Sequence, residues 1–436
     1  MYNYRRFLSR PMAKTALVVG TFSLLASAPQ TAFASFNITD IANFNGSNPA
    51  SGKNPESGVT IDSSGNLFGT TQSGGADNFG AVYEVATGTN TITDIASFNS
   101  TNGQTPNATL TLDNSGNIFG TTTAGGVNGY GTVYEIAAGT STITDLGVFS
   151  YDFSKGYANG INPYGGVTID GNGNLFGTTI SGGSGNRGVV YEIVSGSNTI
   201  TDIASFNTTN GSQPYAGVTL DSTGNIFGTT RGGGANSFGT VYEIVAGSHT
   251  INDLVAFSGT NGNSPYGGIT LDSDGNLYGT TQQGGANGSG TVFEVAHGTS
   301  NLTTLVSFNN TNGKFPNSGV TLDGNGDIFG TAAGGGANIS GTVYQITKGS
   351  NAITSFASFT GPNGSGPNGG VAFDSSGNLF GTTFEGGASS SGTVYEIVGA
   401  GAPVPETSGA LALGLLLTLG GGGVFWCGKQ RRATPA

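Results

Sequence analysis

One phrase recurs seven times along this chain of 436 residues, and a repeat of its length leaves few folds open. The phrase is T-[LI]-D-x-x-G-[ND]-[LI]-[FY]-G-T, with its aspartate at Asp62, Asp113, Asp170, Asp221, Asp272 and Asp323 and, in a V-A-F-D variant, at Asp374. Successive spacings are 51, 57, 51, 51, 51 and 51 residues. A period near 50 residues with several short strands in each unit signals a closed or stacked array, because one unit alone cannot bury its apolar face.

Four β-type runs recur within a unit; in the fourth copy they are residues 217–220, 225–230, 239–245 and 250–257. Each alternates apolar with small or polar side chains and is bounded by Gly, Asn, Asp or Ser. No helical periodicity runs for a useful length. The pattern predicts an all-β fold, a seven-bladed β-propeller of four-stranded blades, with an open β-solenoid as the alternative. Residues 36–44 (F-N-I-T-D-I-A-N-F) match the fourth strand yet precede the first innermost one, while the last copy stops after its third strand at Val398. The N-terminal strand is therefore expected to close the last blade alongside residues 393–397, leaving no open seam.

The ends read as processing segments around a propeller at 35–399. Arg5, Arg6, Arg10 and Lys14, the apolar run 16–25 and Ala32-Phe33-Ala34 make residues 1–34 a signal peptide. Residues 400–407 form a linker, 408–427 an apolar stretch long enough for a transmembrane segment, and 428–436 a basic cytoplasmic tail with Lys429, Arg431 and Arg432. This order, with Val404-Pro405-Glu406-Thr407 before the span, resembles the PEP-CTERM class of bacterial sorting signals. The resemblance implies cleavage by an exosortase-type protease and delivery to the cell envelope, surface or extracellular matrix. Thr407 departs from the proline of that motif, and a retained membrane anchor is the alternative. The only cysteine is Cys427, so the body holds no disulfide. Its 24 acidic and six basic residues leave a net charge of −18, which argues against binding nucleic acid or anionic lipid.

The repeated phrases G-T-V-Y-E-I and N-L-F-G-T-T resemble the GloVer tandem repeats of bacterial surface proteins, a family described with a choice of C-terminal anchors. The resemblance spans residues 36–398. It implies a secreted or surface-held propeller-like body and supplies no catalytic residues.

Candidate sites are few. The turn aspartates fit Asx-type turns; Asp272, Asp274, Asp323 and Asp327 also place oxygens at alternate positions, as weak calcium loops would, without an EF-hand's final glutamate. Glu84, Glu135, Glu192, Glu243, Glu294 and Glu396 occupy one strand position, and Gln345 in the sixth copy suggests that the charge there is dispensable. His249 and His297 have no metal-ligand neighbours, and the G-G-A-N links read as turns rather than phosphate loops. One asymmetry stands out. The residue after the link proline is Tyr164, Tyr215 and Tyr266 in three consecutive copies, but Glu56, Asn107, Asn317 and Asn368 elsewhere. With Arg187 and Arg231, and an insertion at 151–162 adding Tyr151, Phe153, Lys155 and Tyr157, these tyrosines would form an arc at the channel mouth suited to stacking on sugars; simple packing is the alternative. The expected function is a non-enzymatic surface protein presenting a propeller face for binding or scaffolding, with polysaccharide as partner and no cofactor. The alternatives are a propeller enzyme (lactonase, lyase or glycosidase), for which Glu56 and Glu385 are the irregular acids, and a purely structural matrix protein.

Overall fold

The structure, a computed structural model, describes residues 36–45, 52–152 and 157–401. Its strands form seven four-stranded antiparallel sheets and one two-stranded hairpin. In the fourth blade the order from the axis outward is Thr219–Leu220, Ile226–Thr230, Thr240–Ile244 and Asn252–Ala256. The innermost strand is shorter than its alternation suggests, because its first residues lie against the preceding blade: a Cβ on Gly217 would sit 2.5 Å from the Gly166 carbonyl oxygen. Thr39–Asn43 pairs with Thr393–Ile397, Thr39 facing Glu396 and Asn43 facing Thr393, so the first strand completes the seventh sheet. The array is a closed seven-bladed propeller, and the solenoid alternative falls. The insertion is a hairpin of Tyr151–Asp152 with Tyr157–Ala158; Phe153 and Lys155 lie outside the described residues.

Two contacts recur around the ring. The phenylalanine after each fourth strand meets, edge to face, the aromatic ring on the third strand of the next blade; Phe206–Tyr242 is 5.1 Å between centroids, and Phe44–Tyr83 closes the circle at 5.0 Å. In addition, a second-strand threonine donates its hydroxyl to a link carbonyl of the next blade. Examples are Thr178 to Ala216 at 2.7 Å and Thr229 to Gly267 at 2.9 Å, and Thr382 to Ser57 bridges the seam. Apolar burial and hydrogen bonding thus both run between blades, in line with the seven clusters of buried residues; one joins Val190 and Phe206 of the third blade to Ile226 and Tyr242 of the fourth.

Each third-strand ring lies flat on a second-strand glycine. A Cβ on Gly228 would stand 2.4 Å from the Tyr242 hydroxyl. These tyrosines are fully buried, and the hydroxyls of Tyr83, Tyr134, Tyr191, Tyr242, Tyr344 and Tyr395 find no hydrogen-bond partner. The fifth blade uses Phe293 in the same place. The ring, not the hydroxyl, is what the blade needs.

The turn aspartates are structural clamps. Asp221 Oδ1 accepts the N–H groups of Thr223 and Asn225, and its Oδ2 accepts the Asn225 side-chain amide. Asn225 Oδ1 in turn accepts the N–H of Ala246, tying the first hairpin to the next. In the sixth blade Asp327 replaces the asparagine and has no amide to donate, and there Gln345 donates to Asp327 Oδ2 at 3.0 Å. Gln345 is therefore a compensation within its blade, a finer account than a dispensable charge.

Three outcomes follow from these contacts. Tyr242→Phe should leave unfolding free energy unchanged or raise it by up to about 1 kcal/mol, since an unpaired buried hydroxyl is removed, whereas Gly228→Ala should cost about 1–3 kcal/mol by overpacking. Gln345→Glu would set two carboxylates together and lower the denaturation midpoint, and adding Asp327→Asn should restore it; equal losses in both variants would contradict the relay. Burial pushes the carboxyls of Asp94 and Asp202 up to about 6. The folded state then holds these protons more tightly than the unfolded chain, whose aspartates titrate near about 3.9. Their burial costs stability above pH 6, and the cost fades as the pH falls from 6 toward 4. Thermal unfolding should show Tm rising from about pH 7.5 to about pH 5, with a smaller rise in the Asp94→Asn, Asp202→Asn variant.

Candidate functional site

Links from each fourth strand to the next innermost strand lie on the same face as the second-to-third links, and a backbone bridge joins the two in every blade, from Lys53–Ser73 to Ser365–Glu385. In each fourth-to-first link the residue before the proline has positive φ: Asn54 59°, Thr105 59°, Asn162 60°, Gln213 57°, Ser264 55°, Phe315 57° and Gly366 64°. A left-handed backbone is unfavourable ahead of proline, and for a bulky residue such as Phe315 it is strained. Backbone bonds on both sides hold it. Gln213 donates its N–H to the Arg187 carbonyl at 2.8 Å and accepts from the Arg231 N–H at 3.0 Å. The proline then packs on a glycine opening the preceding blade's third strand, as Pro265 does on Gly239.

This kink turns the next residue toward the axis. Glu56, Asn107, Tyr164, Tyr215, Tyr266, Asn317 and Asn368 thereby ring a central cavity of about 480 Å³, whose deeper wall is glycine, small side chains and the innermost strands. The three tyrosines come together as one cluster: Tyr215–Tyr266 centroids are 4.4 Å apart, Tyr164–Tyr215 5.2 Å and Tyr164–Tyr266 6.0 Å. Tyr164 reaches two blades across to donate its hydroxyl to Glu56 Oε1 at 3.4 Å. Asn368 donates to Glu56 Oε2 at 3.2 Å, Asn317 to Asn368 at 3.1 Å, and Gln282 to Asn317 at 2.8 Å. On the other side Gln72 donates to Asn107 at 3.2 Å. The mouth is thus half aromatic and half a belt of linked amides.

Burial raises the Glu56 carboxyl, and the bonds from Asn368 and Tyr164 pull it back. Burial, reinforced by Glu56, holds the Tyr164 phenol far above its ordinary range, and burial also pushes Tyr266 up to about 12. Both phenols therefore stay protonated and can donate. Apolar ring faces beside amide donors and acceptors suit a ligand with C–H faces and many hydroxyls.

The remaining candidates scatter. The Arg231 guanidinium lies 5.5 Å from the Tyr215 centroid, while Arg187 is exposed and meets the ring only through its backbone bond to Gln213. Tyr151 stands near Tyr130, 6.4 Å between centroids. Glu385 is exposed in a second-to-third link, outside the ring. His249 Nδ1 meets the Ile203 carbonyl at 2.9 Å on the opposite face. Of the calcium candidates, Asp272 accepts four donors, from Asp274, Asn276 (twice) and Tyr278. Asp323 accepts the N–H groups of Asn325 and Asp327, Asp327 accepts from Gln345 and Lys348, and Asp274 is exposed. Among the described residues no helix is long and apolar enough to cross a membrane; the expected signal peptide at 1–34, the expected linker at 400–407 beyond residue 401, and the expected transmembrane segment and tail at 408–436 lie outside them. Sequence reasoning did not find the Tyr164–Glu56 bond. The amide belt did leave a signal, since Gln72 and Gln282 occur in the blades that precede Asn107 and Asn317.

Solved structures similar to this chain share its fold. The extracellular domain of a one-component system from B. thetaiotaomicron is 14% identical over 85% of this chain and 42% of its own, with a TM-score of 0.53. The extracellular domain of a hybrid two-component system from the same organism is 11% identical over 83% of this chain and 39% of its own, with a TM-score of 0.51. This chain thus spans about two fifths of the length of either. None of the curated proteins matches it in sequence. The sequence profile of the Gloeobacter/Verrucomicrobia repeat matches residues 28–222 and again 177–395, and the chain belongs to that repeat family.

Proposed function

We propose that this is an exported, non-enzymatic repeat protein whose propeller holds polysaccharide at the mouth of its central cavity. The observation that carries the reading is the seven-residue ring, in which three contacting tyrosines face a belt of amides around one carboxylate. Glu56 already takes donors on both oxygens, which suits a fixed acceptor better than one of two cooperating catalytic carboxylates. Export rests on the basic and apolar leader and the PEP-CTERM-like tail. The described chain enters at Phe36 and leaves at Gly401 on the face opposite the mouth, where Gly401 donates to the Gly377 carbonyl of a first-hairpin turn. A body held by its C-terminal segment would present the mouth outward, and many copies on one surface would strengthen weak single contacts.

The test is titration of the purified protein with a panel of bacterial and plant polysaccharides, with calcium and with a chelator. Selective binding that falls about tenfold or more in Tyr215→Ala and Tyr266→Ala is expected. Binding indifferent to both substitutions, or no binding across the panel, would overturn the glycan reading in favour of a scaffolding role. Release of shorter or unsaturated sugars by the wild type, abolished in Glu56→Gln or Glu385→Ala, would establish the enzyme alternative instead.

A further inference from the structure

We infer that the ligand of this mouth is an acidic polysaccharide, one whose sugars bear carboxylates; the inference rests on the glycan reading above and adds the ligand's charge. The net charge of the body is not the field at the mouth. Among the described residues Lys53, Arg187, Arg231 and Lys314 all lie in links of the mouth face, and only Lys348 lies on the other. The links of the mouth face hold the acids Glu56, Asp77, Asp152 and Glu385, while every other acidic residue of the described chain sits on a strand or on the opposite turns. Of those four, Glu56 is engaged by Tyr164 and Asn368. A polyanion approaching the acidic face would be repelled, but the mouth is close to balanced and locally positive.

The positive sector is built beside the tyrosines. Gln213 is bonded through its backbone to Arg187 on one side and Arg231 on the other, two residues ahead of Tyr215. Arg231 is half-buried over the Tyr215 ring, and its Nε is buried with no hydrogen-bond partner. Its positive charge is thus only partly hydrated, which strengthens its attraction to a carboxylate held at the neighbouring tyrosines. A sugar ring stacked on the cluster would carry its carboxylate toward this group, while its hydroxyls meet Asn107, Asn317 and Asn368. A neutral sugar would lack this charge attraction.

A matched pair of ligands tests this: polygalacturonate and the same polymer with its carboxyls methyl-esterified, titrated into the full-length protein. The acid form should bind about tenfold tighter at low salt, with the advantage shrinking as ionic strength rises from about 0.05 M to about 0.5 M. Arg231→Gln should remove the advantage by weakening binding of the acid form. Arg187→Gln, at an exposed position that cannot disturb packing, should reduce the advantage, and Lys348→Gln should not change it. Equal affinities for the two polymers, or an advantage indifferent to both arginine substitutions, would overturn the inference. If the ester binds as well as the acid and both are lost in Tyr266→Ala, the glycan reading stands and this one falls. If neither polymer nor any other glycan binds, both fall together.

Discussion

The bond on which this molecule turns is the one from a second-strand threonine hydroxyl to a link carbonyl of the next blade. In every blade the acceptor is the residue directly after a ring residue: Ala108 after Asn107, Gly165 after Tyr164, Ala216 after Tyr215, Gly267 after Tyr266, Ser318 after Asn317, Gly369 after Asn368 and Ser57 after Glu56. Each mouth residue is therefore clamped between a proline seated on a glycine and a carbonyl held by the preceding blade. Closing the ring and shaping the mouth are a single event. The left-handed residue before each proline shows strain held by surrounding structure, of the kind that accumulates where geometry serves a ligand.

Structure repeats here, and the proposed function resides in what does not. Third-strand aromatic, second-strand glycine, turn aspartate and link proline recur with little variation because each solves a local problem of packing or hydrogen bonding. The post-proline position is free of that duty, since its side chain lines the central cavity rather than the contact between blades. It changes from carboxylate to amide to phenol around the circle. The same reasoning separates Glu385, an irregular acid on the periphery, from Glu56, an irregular acid on the axis.

Much of this was legible from residue types and spacing. The period gave the blade count, and the displaced F-N-I-T-D-I-A-N-F segment announced how the seam closes. The post-proline tyrosines stood out because three consecutive copies share them. What could not be read was distance across the circle. Tyr164 and Glu56 are 108 positions apart, and nothing local says that a side chain will span two blades. Gln345 misled for a related reason: its partner Asp327 lies 18 residues away, so a paired exchange looked like the loss of one charge. The half-buried state of Asp94 and Asp202 was hidden as well, because the same T-D pair occurs on strands whose neighbours determine its solvation.

The first strand and the last run antiparallel, and their outer ends, Thr39 and Ile397, emerge side by side on one face. That arrangement has a mechanical meaning. Tension drawn between the two termini would peel this pair apart one rung at a time, the weakest way to load a ladder of hydrogen bonds. Tension between a tethered C-terminal end and cargo at the mouth follows another path, through the third strand of the last blade and its neighbours, and leaves the first strand slack. A propeller fastened at one end only can therefore bear a pull without straining the clasp that keeps it shut.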